Sequence, residues 1–214
     1  MTKHDKPRLP DQLAVYTAAE LVERLNEDGY VDKGSISHER LEARLQGKMT
    51  IDSFHFRHVD ATAYRVDESE WVDVIFEHCD LSNLDLSNAI MHRVLFRDCK
   101  LMGLELSEAT LRQVSFENCD MRYMNMRYAD LKRVSFDQCA MMNADAYQAS
   151  FQEVSITRSN VDQIQLTGVK LAGLDLSSCE FDAIDAEPGD LRGCKISPAQ
   201  AIAFAPLLGL IVDA

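Results

Sequence analysis

Long apolar stretches are missing from this chain. No segment approaches the roughly 18 uninterrupted apolar residues that a bilayer-spanning helix needs, and the opening MTKHDKPRLP lacks the apolar core of a secretory leader. Membrane spanning and export therefore have no support, and the chain reads as cytoplasmic. Positive charge is also scarce: 22 Lys and Arg stand against 35 Asp and Glu, a net charge of -13 with neutral histidines. Such a surface repels phosphate backbones, which argues against direct nucleic-acid binding, and favours cationic partners. Catalytic signatures are absent as well. There is no G-x-S-x-G elbow, no phosphate-cradling glycine loop and no C-x-x-C zinc spacing. The expectation is no enzyme, no cofactor and no metal.

What the chain has instead is repetition. Its 214 residues leave room for one or two domains with a real core, and the stretch CDLSNLDLSN at 79–88 nearly repeats itself after five residues. Every fifth residue from Ile51 to Ile196 is apolar, and the residues two places before these centres form a second uncharged track that includes Val74, Cys79, Leu84 and Ala89. A period of five fits neither the 3.6 of a helix nor the 2.0 of a flat strand. The chain must turn after each pentad. Phe76, Phe96, Phe116 and Phe136 recur at twenty residues, as do Cys79, Cys99, Cys119 and Cys139, so four pentads make one coil and like residues stack on like. This predicts an all-β solenoid over 51–196, about 35 Å long at the strand spacing of about 4.8 Å per coil. Asn83, Asn88, Gly103, Asn118, Asn143, Gly168, Gly173 and Gly193, each two places after a centre, suit the corners.

CDLSN, LDLSN, ADLKR at 129–133 and LDLSS at 174–178 resemble the motif A(D/N)LXX of the pentapeptide-repeat proteins. That resemblance implies a right-handed quadrilateral β-helix. The tail CKISPAQAIAFAPLLGLIVDA is similar to the C-terminal cap of the Qnr-like quinolone-resistance branch, in which a short helix and a terminal strand pair two rods. Over 197–214, Ser197, Pro198 and Gly209 suit a short helix, which Pro206 would bend or end. Ile202, Phe204, Leu207, Leu208, Leu210 and Ile211 are the expected homodimer surface, with a lid folded over the last coil as the alternative. Residues 1–50 lie outside the expected register. TAAE at 17–20 is a capping box, and Ile36, Leu41 and Leu45 run at near-helical spacing before Gly47, so two short helices are expected to cap the first coil.

The cysteines all fall on the inward track and read as buried, reduced hydrophobes. His55 and His58, in HFRH, fall on outward positions with no third ligand apparent, and read as surface histidines. Aspartates just before the centres recur on every coil, unlike a catalytic pair, which needs two distinct environments. They do sort by face. One face holds Asp85, Glu105, Glu108, Asp145, Asp185 and Glu187 against Arg127 alone; the preceding one holds Asp80, Asp120, Asp162, Glu180 and Asp182 against Lys100 and Arg122; the following one is basic through Arg93, Arg112, Lys132, Arg133, Lys170 and Arg192. The Qnr-like resemblance implies a DNA mimic that binds DNA gyrase or topoisomerase IV and protects it from quinolones. The expected partner site is Asp80, Asp85, Glu105, Glu108, Asp120, Asp145 and Asp185. The alternative is a scaffold with an unknown partner. The unbroken register lacks the projecting loops of other Qnr proteins, so any such contact must use the faces or the cap.

Overall fold

The computed structural model describes residues 6–41, 48–62, 65–66 and 68–211. After a short strand β1 (Ala14–Val15) and helix α1 (Ala18–Asp28), the chain winds as a parallel β-solenoid of about eight turns. Four long strands open it: β2 (Tyr30–Ser37), β3 (Thr50–Arg57), β4 (Glu70–Glu77) and β5 (Ile90–Arg97). Shorter pairs follow: β6 (Thr110–Arg112) and β7 (Ser115–Glu117), β8 (Asp130–Lys132) and β9 (Ser135–Asp137), β10 (Ser150–Gln152) and β11 (Ser155–Thr157). Two-residue strands β12 (Ile164–Gln165) and β13 (Ile184–Asp185) pair on a third side. Every coil-to-coil pairing of β2 to β13 is parallel with a shift of twenty residues, as in Trp71 opposite Met91 and Phe96 opposite Phe116.

The pentad explains this geometry residue by residue. Centres such as Leu81, Leu86, Leu106 and Leu131, together with track residues such as Val94, Leu104 and Met124, are buried in one continuous core. Two places after each centre the backbone turns left-handed. From Ser53 to Gly173 every described residue at that position has positive φ, including all the asparagines and glycines expected there up to Gly173. Arg93, Tyr123, Tyr128 and Glu153 adopt it as readily, because the inter-coil bonds impose the corner: Asn83 N–H donates to Met102 O at 2.8 Å and Tyr123 N–H to Met142 O at 3.1 Å. Ser178, Ala183 and Pro188 hold this position without the left-handed turn. For Pro188 the reason is covalent, since its ring fixes φ near -65°.

Stacking follows from the twenty-residue shift. The rings of Phe56, Phe76, Phe96, Phe116 and Phe136 form a column with centroids 4.7, 4.8, 4.9 and 5.0 Å apart. The thiols of Cys79, Cys99, Cys119 and Cys139 form another, each Sγ near the carbonyl of a phenylalanine in the coil before. All six cysteines are free. The sulfur neighbour Cys99 and burial hold the Cys79 thiol well above the usual range, and burial raises that of Cys179.

The N-terminal end departs from the sequence expectation. The five-residue register starts at Val31 rather than Ile51: Val31 lies opposite Ile51, Ile36 opposite Phe56, and Arg40 bridges Asp60. Ile36 belongs to β2 and Leu41 follows it without helix, so the expected second helix does not run through these two residues; Leu45 and Gly47 lie outside the described residues. Polar residues hid this register: stepping back in fives from Ile51 meets Gln46, and the second track carries Arg44 and Glu39. Gly34 occupies an inward slot that the rings of Phe54 and Tyr16 fill, and a Cβ there would lie 2.3 Å from Phe54. Helix α1 has the expected capping box, with Thr17 and Glu20 bonded reciprocally, and buries Leu21 and Leu25 over the end of the core.

At the other end α2 (Ala201–Phe204) is followed by a 3-10 turn at Pro206–Leu208, closed by left-handed Gly209. Pro206 thus divides the expected helix. Ser197 and Gln200 bond each other, and Gln200 Nε2 donates to Leu176 O at 2.9 Å and Cys179 O at 2.7 Å. Phe204 is buried edge-on against Phe181 at 5.7 Å, and Leu207 packs on the core. No strand follows among the described residues, and 212–214 lie outside them. No described helix is long and apolar enough to cross a membrane.

Candidate functional site

The residue just before each centre faces outward, and on two adjacent sides it stands opposite its counterpart twenty residues on. One ladder runs Arg40, Asp60, Asp80, Lys100, Asp120, Ala140, Asn160, Glu180; the next runs Arg65, Asp85, Glu105, Asn125, Asp145, Gln165, with Gln165 then opposite Asp185. These are the two acidic faces read from the sequence.

Asp and Asn recur here for a local reason. Each side chain accepts the N–H two residues on and so closes its own turn: Asp80 from Ser82 at 3.3 Å, Asp85 from Ser87 at 3.1 Å, Asp145 from Tyr147 at 2.9 Å, Asn125 from Arg127 at 3.0 Å. Glu105 does the same from Ser107 at 2.9 Å and also accepts Asn125 Nδ2 at 2.8 Å. Cations on the same sides lean on several of them. Lys100 reaches Asp80 at 3.4 Å, Arg65 reaches Asp85 at 3.4 Å, and Arg127 reaches Asp145 at 2.9 Å. Arg122 forks onto Asp120 at 2.8 and 2.6 Å and holds its carboxyl below the ordinary range. Glu108 is exposed at a left-handed corner and Asp185 is exposed near the rod's end. The seven expected partner residues therefore share two neighbouring sides along most of the rod, in turn-closing, cation-paired and exposed roles.

On the basic side, neighbouring coils supply counter-charges: Arg93 to Asp73 at 2.5 Å, Arg133 to Glu153 at 3.2 Å, Lys170 to Asp190 at 2.5 Å, and Arg112 to Asp130. That side is largely paired, as are Asp80, Asp85, Asp120 and Asp145 on the acidic sides.

Two surface features escaped the sequence reading. Tyr128 and Tyr147 meet edge-on at 5.8 Å, with the Arg127 guanidinium 4.6 Å from the Tyr147 ring centroid; Tyr123 and Tyr128 are well exposed. His58 is exposed as expected, yet it sits between His38 and His78 in a stack with centroids 4.7 and 5.0 Å apart. Their spacing of twenty was the available signal. His55 is half-buried beside Glu77, 3.6 Å away, and burial lowers its pKa. Desolvation by the ring stack and the two flanking imidazoles lower that of His58. Among the described residues no group of three or more His, Cys, Asp or Glu is arranged to hold a metal ion.

Of the expected dimer surface, Ile202, Leu210 and Ile211 are exposed, whereas Phe204 and Leu207 turn onto the chain's own rod; the side chain of Leu208 lies outside the described structure.

Residues 69–137 match the family model described as a pentapeptide repeat region. No curated protein matches the chain. Solved structures that align with it include a trypsin-treated form of QnrB1, described as a plasmid-mediated fluoroquinolone resistance protein, at 16% identity and TM-score 0.33, covering 86% of this chain and 100% of that one. HetL, a pentapeptide repeat protein from the cyanobacterium Nostoc involved in heterocyst differentiation regulation, aligns at 15% identity and TM-score 0.43 over 85% and 91% of the two chains. The pentapeptide repeat protein Rfr23 from the cyanobacterium Cyanothece aligns at 12% identity and TM-score 0.15, over 82% and 96%. Residues 69–137 are thus a pentapeptide repeat region, and the same twenty-residue pairing of coils continues among the described residues on both sides of it.

Proposed function

We propose that the rod is a non-enzymatic DNA mimic whose two acidic faces occupy the cationic duplex-binding surface of a type II topoisomerase, DNA gyrase or topoisomerase IV, and protect it from quinolones. The observation that carries this reading is the pair of outward ladders on adjacent sides in which Asp60, Asp80, Asp120 and Glu180, and Asp85, Glu105, Asp145 and Asp185, recur along the rod. A net charge of -13 for the whole chain over about 40 Å, eight coils at about 4.8 Å each, is roughly one charge per 3 Å, about half the density of duplex DNA at one per 1.7 Å. The partner class comes from the Qnr-like resemblance of the tail, and exposed Ile202, Leu210 and Ile211 support pairing of two rods at that end. A second reading, a scaffold for another partner, is favoured by the turn-closing bonds and ion pairs that already engage Asp80, Asp85, Asp120 and Asp145.

The readings separate in a supercoiling assay. The mimic lowers gyrase activity at micromolar protein or restores it under a fluoroquinolone, and reversing Asp85, Glu105 and Glu108 to lysine weakens the effect with the fold intact. No effect of the wild-type rod on either topoisomerase would leave the scaffold reading.

A further inference from the structure

His38, His58 and His78 occupy the same left-handed corner of three successive coils, with φ of 59°, 51° and 54°. All three are exposed, their rings nearly parallel, and the column continues into Asp98, whose Oδ2 lies 3.9 Å from His78 Nδ1. Parallel pairing fixes the spacing of their backbones, so each imidazole keeps the next within one coil's rise.

We infer that this column is a surface site for one divalent transition-metal ion, held by two adjacent imidazoles, with water completing the coordination. An ion such as Zn²⁺ binds imidazole nitrogen at about 2.0–2.1 Å, so two nitrogens on one ion stand at most about 4.2 Å apart. The stacked rings are 4.7 and 5.0 Å apart; turning two exposed neighbours edge-on about their own side-chain bonds closes that gap without moving the backbone. The outer pair is separated by two coils, too far for one ion to bridge, so His58 must be a ligand in either arrangement, with His38 or with His78. In the His78 arrangement the Asp98 carboxylate, 3.9 Å from Nδ1, adds a nearby negative charge that favours the cation. Imidazole donors with oxygen from water suit Zn²⁺, Ni²⁺ or Cu²⁺ rather than Mg²⁺ or Ca²⁺.

The test is calorimetric titration of Zn²⁺ into untagged full-length protein carrying His4→Ala, which removes a histidine outside the column. Asparagine replaces each column histidine because it tolerates the left-handed corner, and thermal melts check that each variant is folded. One ion per chain is expected. His58→Asn, and the double variant His38→Asn with His78→Asn, should each weaken binding by at least about tenfold, while either outer single variant keeps a pair and stays within a few-fold of the parent. Absence of saturable Zn²⁺ binding, or a folded His58→Asn variant that binds like the parent, would overturn the site.

Discussion

A left-handed backbone costs an ordinary L residue about 1–2 kcal/mol, and the rod accepts this at corner after corner. Asparagine limits the cost, because its short polar side chain tolerates the conformation, and glycine avoids it. At Gly103 a further constraint acts: an added Cβ would lie 2.4 Å from Asn83 Oδ1 in the coil before. The corner at Asn143 is exposed, with φ of 58°, and offers a clean measurement. Asn143→Val should destabilise the protein by about 1–2 kcal/mol and Asn143→Gly should be close to neutral, read as melting temperatures by circular dichroism. Equal stability of Val and Asn there would refute the view that the corners are strained. The same residue-level logic gives the aspartates before each centre a structural task, closing turns, that precedes any role in binding.

Between elements, the coils are joined by a backbone ladder and, at chosen places, by a charge clasp. Asp190 is almost fully buried, accepts Lys170 Nζ at 2.5 Å and the Gly168 N–H at 2.8 Å, and through its carbonyl receives the Leu171 N–H at 3.0 Å. The bond from Lys170 holds its carboxyl below the ordinary range. A depressed acid in the folded state contributes stability that is complete above its unfolded pKa, about 3.9, and is lost as pH falls through the folded value. The denaturation midpoint should therefore fall on acidification below about pH 4, where the similarly lowered Asp120 and Asp137 add to it. Relief of the -13 net charge opposes this trend, so the diagnostic is the variant. Asp190→Asn should lower the midpoint at pH 7 and flatten its fall between pH 5 and pH 3; an unchanged slope would assign the acid sensitivity elsewhere.

At the scale of the whole molecule, the solenoid has one core running from Leu21 beneath the N-terminal helix to Phe204 beneath the C-terminal one. Each coil rests only on its neighbours, so damage in the middle removes support from both sides. Leu106 is fully buried near the centre of the rod. Leu106→Asp places an unpaired charge there, at a cost of several kcal/mol, and the expected result is loss of the cooperative melting transition. A folded, cooperatively melting variant would contradict a single packed core. The two helical ends keep the outermost coils from presenting a bare edge to other chains.

Much of this was legible in the sequence because a twenty-residue repeat is local arithmetic: the buried centres, the cysteine and phenylalanine columns, the asparagine and glycine corners and the two acidic sides all follow from counting. The capping box at Thr17 and the break at Pro206 were legible for the same reason, since each acts within one turn. The first coil was not, because counting back from Ile51 meets Gln46 and, on the second track, Arg44 and Glu39, and Gly34 beyond them leaves its inward slot to Phe54 and Tyr16. Nor did sequence decide which carboxylates are held by cations or which apolar residues of the tail turn inward. Those depend on where side chains from different coils meet, and that is fixed only when the coils are laid one on another.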